Sequence, residues 1–247
     1  MDDDCQPPKI DIGLNKTLSQ ALSITTLQSL QLEARLSMRC KKSNYPIYVW
    51  ETSAVDNTNK QFLPFITHAK NVKSLTFQPR MLALGYHYIR LKADMQGIKG
   101  TWAYDFGFIE IVLPRLVSVI SGPSSSVQGS GPLILNAENS FDPDLSGPSR
   151  YSGLSYKWFC RRTDESLSNI TSSPIDLPLK KPQNQGGCFG YGPGRLRTTS
   201  ELLQLDPAVM KAKHRYVIEL LVTKGKRSSL IASHTVYIIT ALQFSIK

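Results

Sequence analysis

Apolar and polar residues alternate along most of this chain with the period of two that marks half-buried β-strands. Leu30, Leu32, Ala34 and Leu36 form one face of residues 29–36, and Tyr48 and Trp50 share a face of 45–51. Leu75 and Phe77 stand out in 74–78. In 86–93, Tyr86, Tyr88, Arg90 and Lys92 face one way and Ile89, Leu91 and Ala93 the other. Residues 101–112 align Trp102, Tyr104, Phe106 and Phe108 before Ile109 and Ile111, and Gly107 in their midst predicts a bulge. Leu113-Pro114-Arg115-Leu116 reads as a short, stiff joint. Strands then resume at 117–120, 133–137, 154–160, 200–205, 216–223 and 229–239, with Tyr156, Trp158 and Cys160 on one face. A single helical turn is predicted within 207–214.

The pattern occurs twice. Leu30-Gln31-Leu32-Glu33-Ala34 is followed by Tyr48 and Trp50, then Phe77-Gln78-Pro79, then Tyr88. Leu133-Ile134-Leu135-Asn136-Ala137 is followed by Tyr156 and Trp158, then Leu205-Asp206-Pro207, then Tyr216. Each proline precedes its tyrosine by nine residues. A repeat of about 110–130 residues has the size of a β-sandwich module and exceeds any solenoid unit. The expectation is an all-β chain of two tandem sandwiches, residues 1–115 and 116–247. The second carries a long irregular insertion, 161–199, rich in proline and glycine.

Composition agrees: 41% hydrophobic and 19% charged residues in 247 make a globular chain, not a disordered one. The longest apolar run, 109–120, is broken by Pro114 and Arg115 and falls short of the ~20 residues that cross a bilayer. The acidic start Met1-Asp2-Asp3-Asp4-Cys5 does not read as a signal peptide. The net charge of +10 is spread, with 14 basic against 10 acidic residues up to Arg115 and 15 against 9 beyond it. That spread, with aromatics at strand spacing rather than interleaved with arginine, argues against nucleic acid. An anionic glycan or an acidic protein face suits it better. The candidate contact surface is the 161–199 insertion with the basic residues Arg195, Arg197, Lys224, Lys226 and Arg227. Lys224 to Arg227 reads as a hairpin turn that carries its charge into solvent.

Candidate chemistry is sparse. Cys5, Cys40, Cys160 and Cys188 lack zinc-site spacing and allow three disulfide connectivities. Cys5–Cys40 with Cys160–Cys188 is the economical pairing because each bridge closes a loop inside one module; the alternative is four thiols of a cytosolic protein. Asn15-Lys16-Thr17 and Asn169-Ile170-Thr171 are glycosylation acceptors if the chain is secreted. Asp142 and Asp144 could ligate calcium, although an Asx-type turn explains them more simply. The four histidines are scattered. No GxSxG, HExxH or Walker-type sequence occurs, so neither a cofactor nor a catalytic centre is indicated. Cysteines and acceptor sites without a leader suggest a piece of a longer extracellular protein.

The motifs resemble the receptor-for-egg-jelly (REJ) region of polycystin-family proteins. Those in the first module are Cys5-Gln6-Pro7-Pro8, the Leu-x-Leu-x-Ala strand ahead of Cys40, and Tyr48-x-Trp50-Glu51. The junction is Leu113-Pro114-Arg115-Leu116-Val117. The second module has Asn139-Ser140-Phe141-Asp142-Pro143-Asp144, Leu154-Ser155-Tyr156-x-Trp158-x-Cys160 and Gly186-Gly187-Cys188. The resemblance implies two fibronectin-III/PKD-like sandwiches on the outer side of a large membrane receptor that partners a polycystin-type cation channel subunit. It also implies one cystine per module at the pairs named above. Relatives carry a further cysteine pair near Thr52 and Tyr88, and its joint absence here leaves no orphan thiol. Membrane contact would come only through other parts of such a parent chain. The functional expectation is a non-enzymatic spacer with a protein or glycan recognition surface. The alternatives are a secreted decoy and an accessory sandwich of a carbohydrate-active enzyme.

Overall fold

The computed structural model describes residues 5–40, 45–56, 58–95, 98, 101–165, 175–176, 188 and 194–240, with backbone only at Cys5, Arg39, Cys40, Ile175 and Asp176. The described chain is β throughout, with a few 3₁₀ turns. It divides into two compact units, Met1–Pro114 and Arg115–Lys247.

In the first unit the strands are β1 (Cys5–Asp11), β2 (Leu22–Thr25), β3 (Leu30–Glu33), β4 (Arg35–Cys40), β5 (Pro46–Ala54), β6 (Ile66–Lys70), β7 (Ser74–Phe77), β8 (Gly85–Met95) and β9 (Ala103–Val112). A five-stranded sheet runs β2-β9-β8-β5-β6, and β3 pairs with β7 across from it. The alternation explains the packing. Leu30 and Leu32 on β3 and Leu75 and Phe77 on β7 meet Trp50, Ile89, Leu91, Ile109 and Ile111 of the larger sheet in one buried cluster. Two sheets sharing one core make a β-sandwich. A β1–β4 ribbon flanks it, and its register shifts between Gln6 and Lys9, where Pro7 and Pro8 have no N–H to give the ladder.

The second unit contains β10 (Ser125–Val127), β11 (Leu133–Asn136), β12 (Ser155–Arg162), β13 (Ile175–Asp176), β14 (Gly194–Arg197), β15 (Leu202–Leu205), β16 (Arg215–Lys224), β17 (Arg227–Ser228) and β18 (Ala232–Ile239). Its larger sheet runs β10-β18-β16-β12-β14-β13, faced by the β11–β15 pair. The plan is that of the first unit: a parallel edge strand joins the last strand (β2 on β9, β10 on β18), and a two-stranded sheet closes the sandwich. The core is again one cluster, with Leu133, Leu135, Leu203 and Leu205 against Trp158, Ile218, Leu220 and Val222.

The repeated tryptophan has one job in both units. Trp50 and Trp158 are fully buried. Trp50 Nε1 donates to Val72 O at 3.1 Å, and Trp158 Nε1 to Ser200 O at 2.9 Å. Each acceptor lies two residues before the strand, β7 or β15, that closes the smaller sheet. The indole thus fills the core and pins the returning chain.

Two expectations are corrected. Gly107 is no bulge: it sits in unbroken register opposite Ile89. A Cβ there would collide with the Leu14 Cβ and press on Asn15 O, so glycine lets the chain after β1 lie against β9. The bulges lie in β1–β4 and in β5–β6; at the second, His68 turns toward Thr52, with Nε2 and Oγ1 2.7 Å apart. The repeat, too, is one residue out of step at its tyrosine. Trp50 opposes Leu91 and Trp158 opposes Leu220, so Tyr216 corresponds to His87 rather than Tyr88. Both residues hold the loop before their strand: His87 Nε2 is 2.8 Å from Ala83 O, and Tyr216 Oη accepts from Lys211 N at 3.0 Å. The helical turn appears as a 3₁₀ turn, Pro207–Val209, capped by Asp206.

Candidate recognition surface

The basic residues expected to form one surface lie apart along the described sheet. Arg195 and Arg197 are outward residues of β14, alternating with Leu196, which is buried. Arg195 opposes Phe159, which in turn opposes Glu219. Lys224 lies five residues further along β16, roughly 17 Å at strand rise. Most of the 161–199 insertion falls outside the described residues, including Asn169.

The β16–β17 turn also differs from a solvated charge run. Lys226 is exposed at its tip, but Arg227 and Lys224 reach back to Asp142, whose side chain is fully buried. Arg227 Nη1 donates to Asp142 Oδ1 at 2.9 Å and Nη2 to Oδ2; Lys224 Nζ is 3.3 Å from Oδ2. Asp144 N donates to Asp142 Oδ1 at 3.2 Å, which supplies the expected Asx-type turn. The Arg227 guanidinium holds the Asp142 carboxyl below its usual range, outweighing the burial that would raise it. A carboxylate already joined to two cations is the centre of an ion-pair cluster, not the open oxygen ligand calcium needs. Among the described residues, no three His, Cys, Asp or Glu residues gather to hold a metal ion. The turn is therefore a clamp: charge drawn from the β16–β17 hairpin fixes the Phe141–Asp144 segment to the sandwich.

Cys160 on β12 is bonded to Cys188, with both residues buried and their Cα atoms 5.4 Å apart. The bridge ties the insertion to the core beside Trp158. Cys5 and Cys40 stand opposite each other in the β1–β4 register, but their side chains lie outside the described residues. Asn15 is exposed on the loop after β1, and its Nδ2 donates to Gln20 O at 2.7 Å.

The surface that sequence reasoning missed lies on the first unit. The outward face of β9 is a row of aromatics: Trp102, just ahead of the strand, then Tyr104, Phe106 and Phe108, with neighbouring centroids 6.2, 6.4 and 6.3 Å apart. Lys92 opposes Tyr104, Arg90 opposes Phe106 and Tyr88 opposes Phe108 on β8; Val49 and Glu51 continue these rungs onto β5. The loop between β5 and β6 folds over one half of the row. Phe62 packs on Tyr88 with centroids 4.9 Å apart, and Phe65 meets the edge of Tyr88 at 5.8 Å and lies 4.1 Å from the Arg90 guanidinium. The other half is uncovered: Trp102 is 60% and Tyr104 51% exposed. There Ile47, Val49, Lys92, Asp94, Trp102 and Tyr104 line a groove of about 630 Å³.

Electrostatics in the groove are balanced. Glu51 Oε2 accepts from Arg90 Nη2 at 2.8 Å and lies 3.3 Å from Lys92 Nζ. Burial raises the Glu51 carboxyl, but these two cations prevail and keep it below its usual value. Lys16, over the Phe106 ring, is paired with Asp105 at 2.6 Å. The signal for this face was in the sequence: the aromatic side of 101–108 and the aliphatic side of 109–111 cannot both point into one core.

Three solved structures have similar chains at low identity. They are the N-terminal domains of the bacteriophage RB49 outer capsid protein Hoc (10% identity, 96% of this chain and 71% of that one, TM-score 0.31), Sidekick-1 immunoglobulin domains 1–5 (11%, 97% and 40%, 0.36), and the chicken interferon gamma receptor alpha chain (11%, 95% and 98%, 0.38). At these scores nothing about function follows from them. The family model described as the REJ domain matches residues 33–246, which take in most of the first sandwich, the strands of the second, both core tryptophans and the Cys160–Cys188 bridge. The chain belongs to the REJ-domain family.

Proposed function

We propose that this chain is a non-enzymatic, extracellular part of a polycystin-like membrane receptor. Its two rigid sandwiches space the receptor's outer region and present a recognition surface to a protein or glycan. In the parent molecule it stands beside a polycystin-type cation channel subunit, and membrane attachment comes from other parts of that molecule. The observation that carries this reading is the buried Cys160–Cys188 bridge within a chain matched by the REJ-domain model. Disulfides persist in oxidising compartments and are rare in the cytosol. The exposed acceptor Asn15 fits the same setting. No helix among the described residues is long and apolar enough to cross a membrane.

Non-reducing peptide mapping of protein made through a secretory route tests the reading. The expected products are peptides linked Cys160–Cys188 and Cys5–Cys40, with Asn15 sensitive to glycosidase. Four alkylatable thiols in stable folded protein would overturn it.

A further inference from the structure

We infer that the open half of the aromatic row on the first unit binds an uncharged oligosaccharide. Adjacent exposed tryptophan and tyrosine rings leave a large apolar surface in water, the kind of patch that marks an interaction site. Trp102 and Tyr104 lie within 14° of parallel. A sugar ring offers what such a surface needs, an apolar C–H face with hydroxyls around its rim. The groove's volume of about 630 Å³ lies inside the range of ligand sites. The same row shows what covers aromatics here when the chain does it itself: Phe62 lies against Tyr88 and Phe108, and Phe65 against Tyr88 and the Arg90 guanidinium. A groove of this volume floored by two exposed rings suits a narrow chain of sugars better than the broad contact of a protein partner.

Charge selects the class of sugar. Arg90 and Lys92 share Glu51, and Lys16 is taken by Asp105. Asp94 Oδ1 accepts from Met95 N at 2.9 Å and Thr101 Oγ1 at 3.1 Å. Among the described residues no surplus positive charge is left for a sulfate or uronate, which would need cations of its own. Hydroxyls, which both donate and accept, can join these pairs: they accept from Lys92, whose ammonium has three hydrogens, and donate to the carboxylates. The net charge of +10 on the whole chain therefore does not define this groove's ligand.

The inference rests on the extracellular reading only for where the sugar is met, so thiol state and binding are measured on one oxidised sample. Uncharged hexasaccharides of glucose, mannose, galactose and N-acetylglucosamine, with a heparin hexasaccharide as the anionic probe, are titrated against the full chain by calorimetry and tryptophan fluorescence. The expected result is saturable binding of at least one neutral hexasaccharide, insensitive to salt. It is weakened about tenfold or more by Trp102→Ala and by Tyr104→Ala, and unchanged by Tyr237→Ala in the second unit. Both ring removals are at exposed positions, and an unchanged melting temperature confirms the fold. Binding confined to heparin and abolished by salt would overturn the proposal. So would failure of every neutral sugar to bind, or a dimer that Trp102→Ala dissolves.

Discussion

Asp142 shows how one side chain can carry a local structure. Its carboxylate is buried and joined to Arg227 and Lys224, so removing its charge strands two partly buried cations. Asp142→Asn is expected to cost roughly 3 kcal/mol, the range for breaking a buried pair from one side, measured as a urea midpoint for the second unit. The pH dependence follows from the lowered carboxyl. A group whose folded pKa lies below its unfolded value contributes stability above the unfolded value and loses it as pH falls through the folded one. The contribution is therefore complete above about pH 5 and fades below about pH 4, the region of an ordinary aspartate. The variant should lose less stability between those conditions and stronger acid than the parent does. Gly107 is the opposite case, a residue defined by what it lacks. Gly107→Ala sets a methyl against Leu14 and Asn15 and should cost about 1–3 kcal/mol, as overpacking does, seen as a lower melting temperature of the first unit.

Strands were the most legible part of this chain because period two is written directly in residue choice. The β5, β8, β12 and β16 strands all fall where alternation puts them, and their core-facing residues are mostly apolar, with Thr52 and His87 as buried polar exceptions. What alternation cannot fix is register between copies. The shared proline-to-tyrosine spacing aligns Tyr88 with Tyr216, whereas strand pairing aligns His87 with it, and a one-residue slip exchanges the faces of a strand. The candidate site was less legible for a related reason. A sequence shows that Trp102 and Tyr104 share a face, but whether the chain covers that face depends on where the 56–65 loop lies, a contact made through the Val55–Phe62 bridge. The ion cluster at Asp142 joins residues 85 apart in sequence, and spacing gives no sign of it. The tryptophan hydrogen bonds are likewise long-range but recur in both units. Trp50→Phe or Trp158→Phe keeps an aromatic in the core and leaves a backbone carbonyl unpaired. Each should cost about 1–3 kcal/mol, in the first unit for one and the second for the other, as read by unit-specific hydrogen exchange.

The two sandwiches repeat a topology around separate cores, and this sets how the molecule should unfold. Their buried clusters share no residue: one draws only on positions 12–111, the other only on 116–238. Two separate cores predict two transitions rather than one. The second core contains the Cys160–Cys188 bridge, which closes a loop of sequence separation 28. Chain-entropy arguments give such a bridge about 3–4 kcal/mol through its effect on the unfolded state. Replacing both cysteines with alanine should therefore lower one of two calorimetric transitions and leave the other in place. Tryptophan fluorescence assigns them, since Trp158 lies beside the lost bridge and Trp50 in the other core. A single transition that shifts as a whole would mean that the units fold as one body, and the repeat would then be a record of the chain's origin rather than a description of its thermodynamics. Two transitions, with only the second moved, would make each sandwich an independent carrier of stability. In that case the aromatic groove of the first unit and the bridged insertion of the second could change separately without unfolding each other.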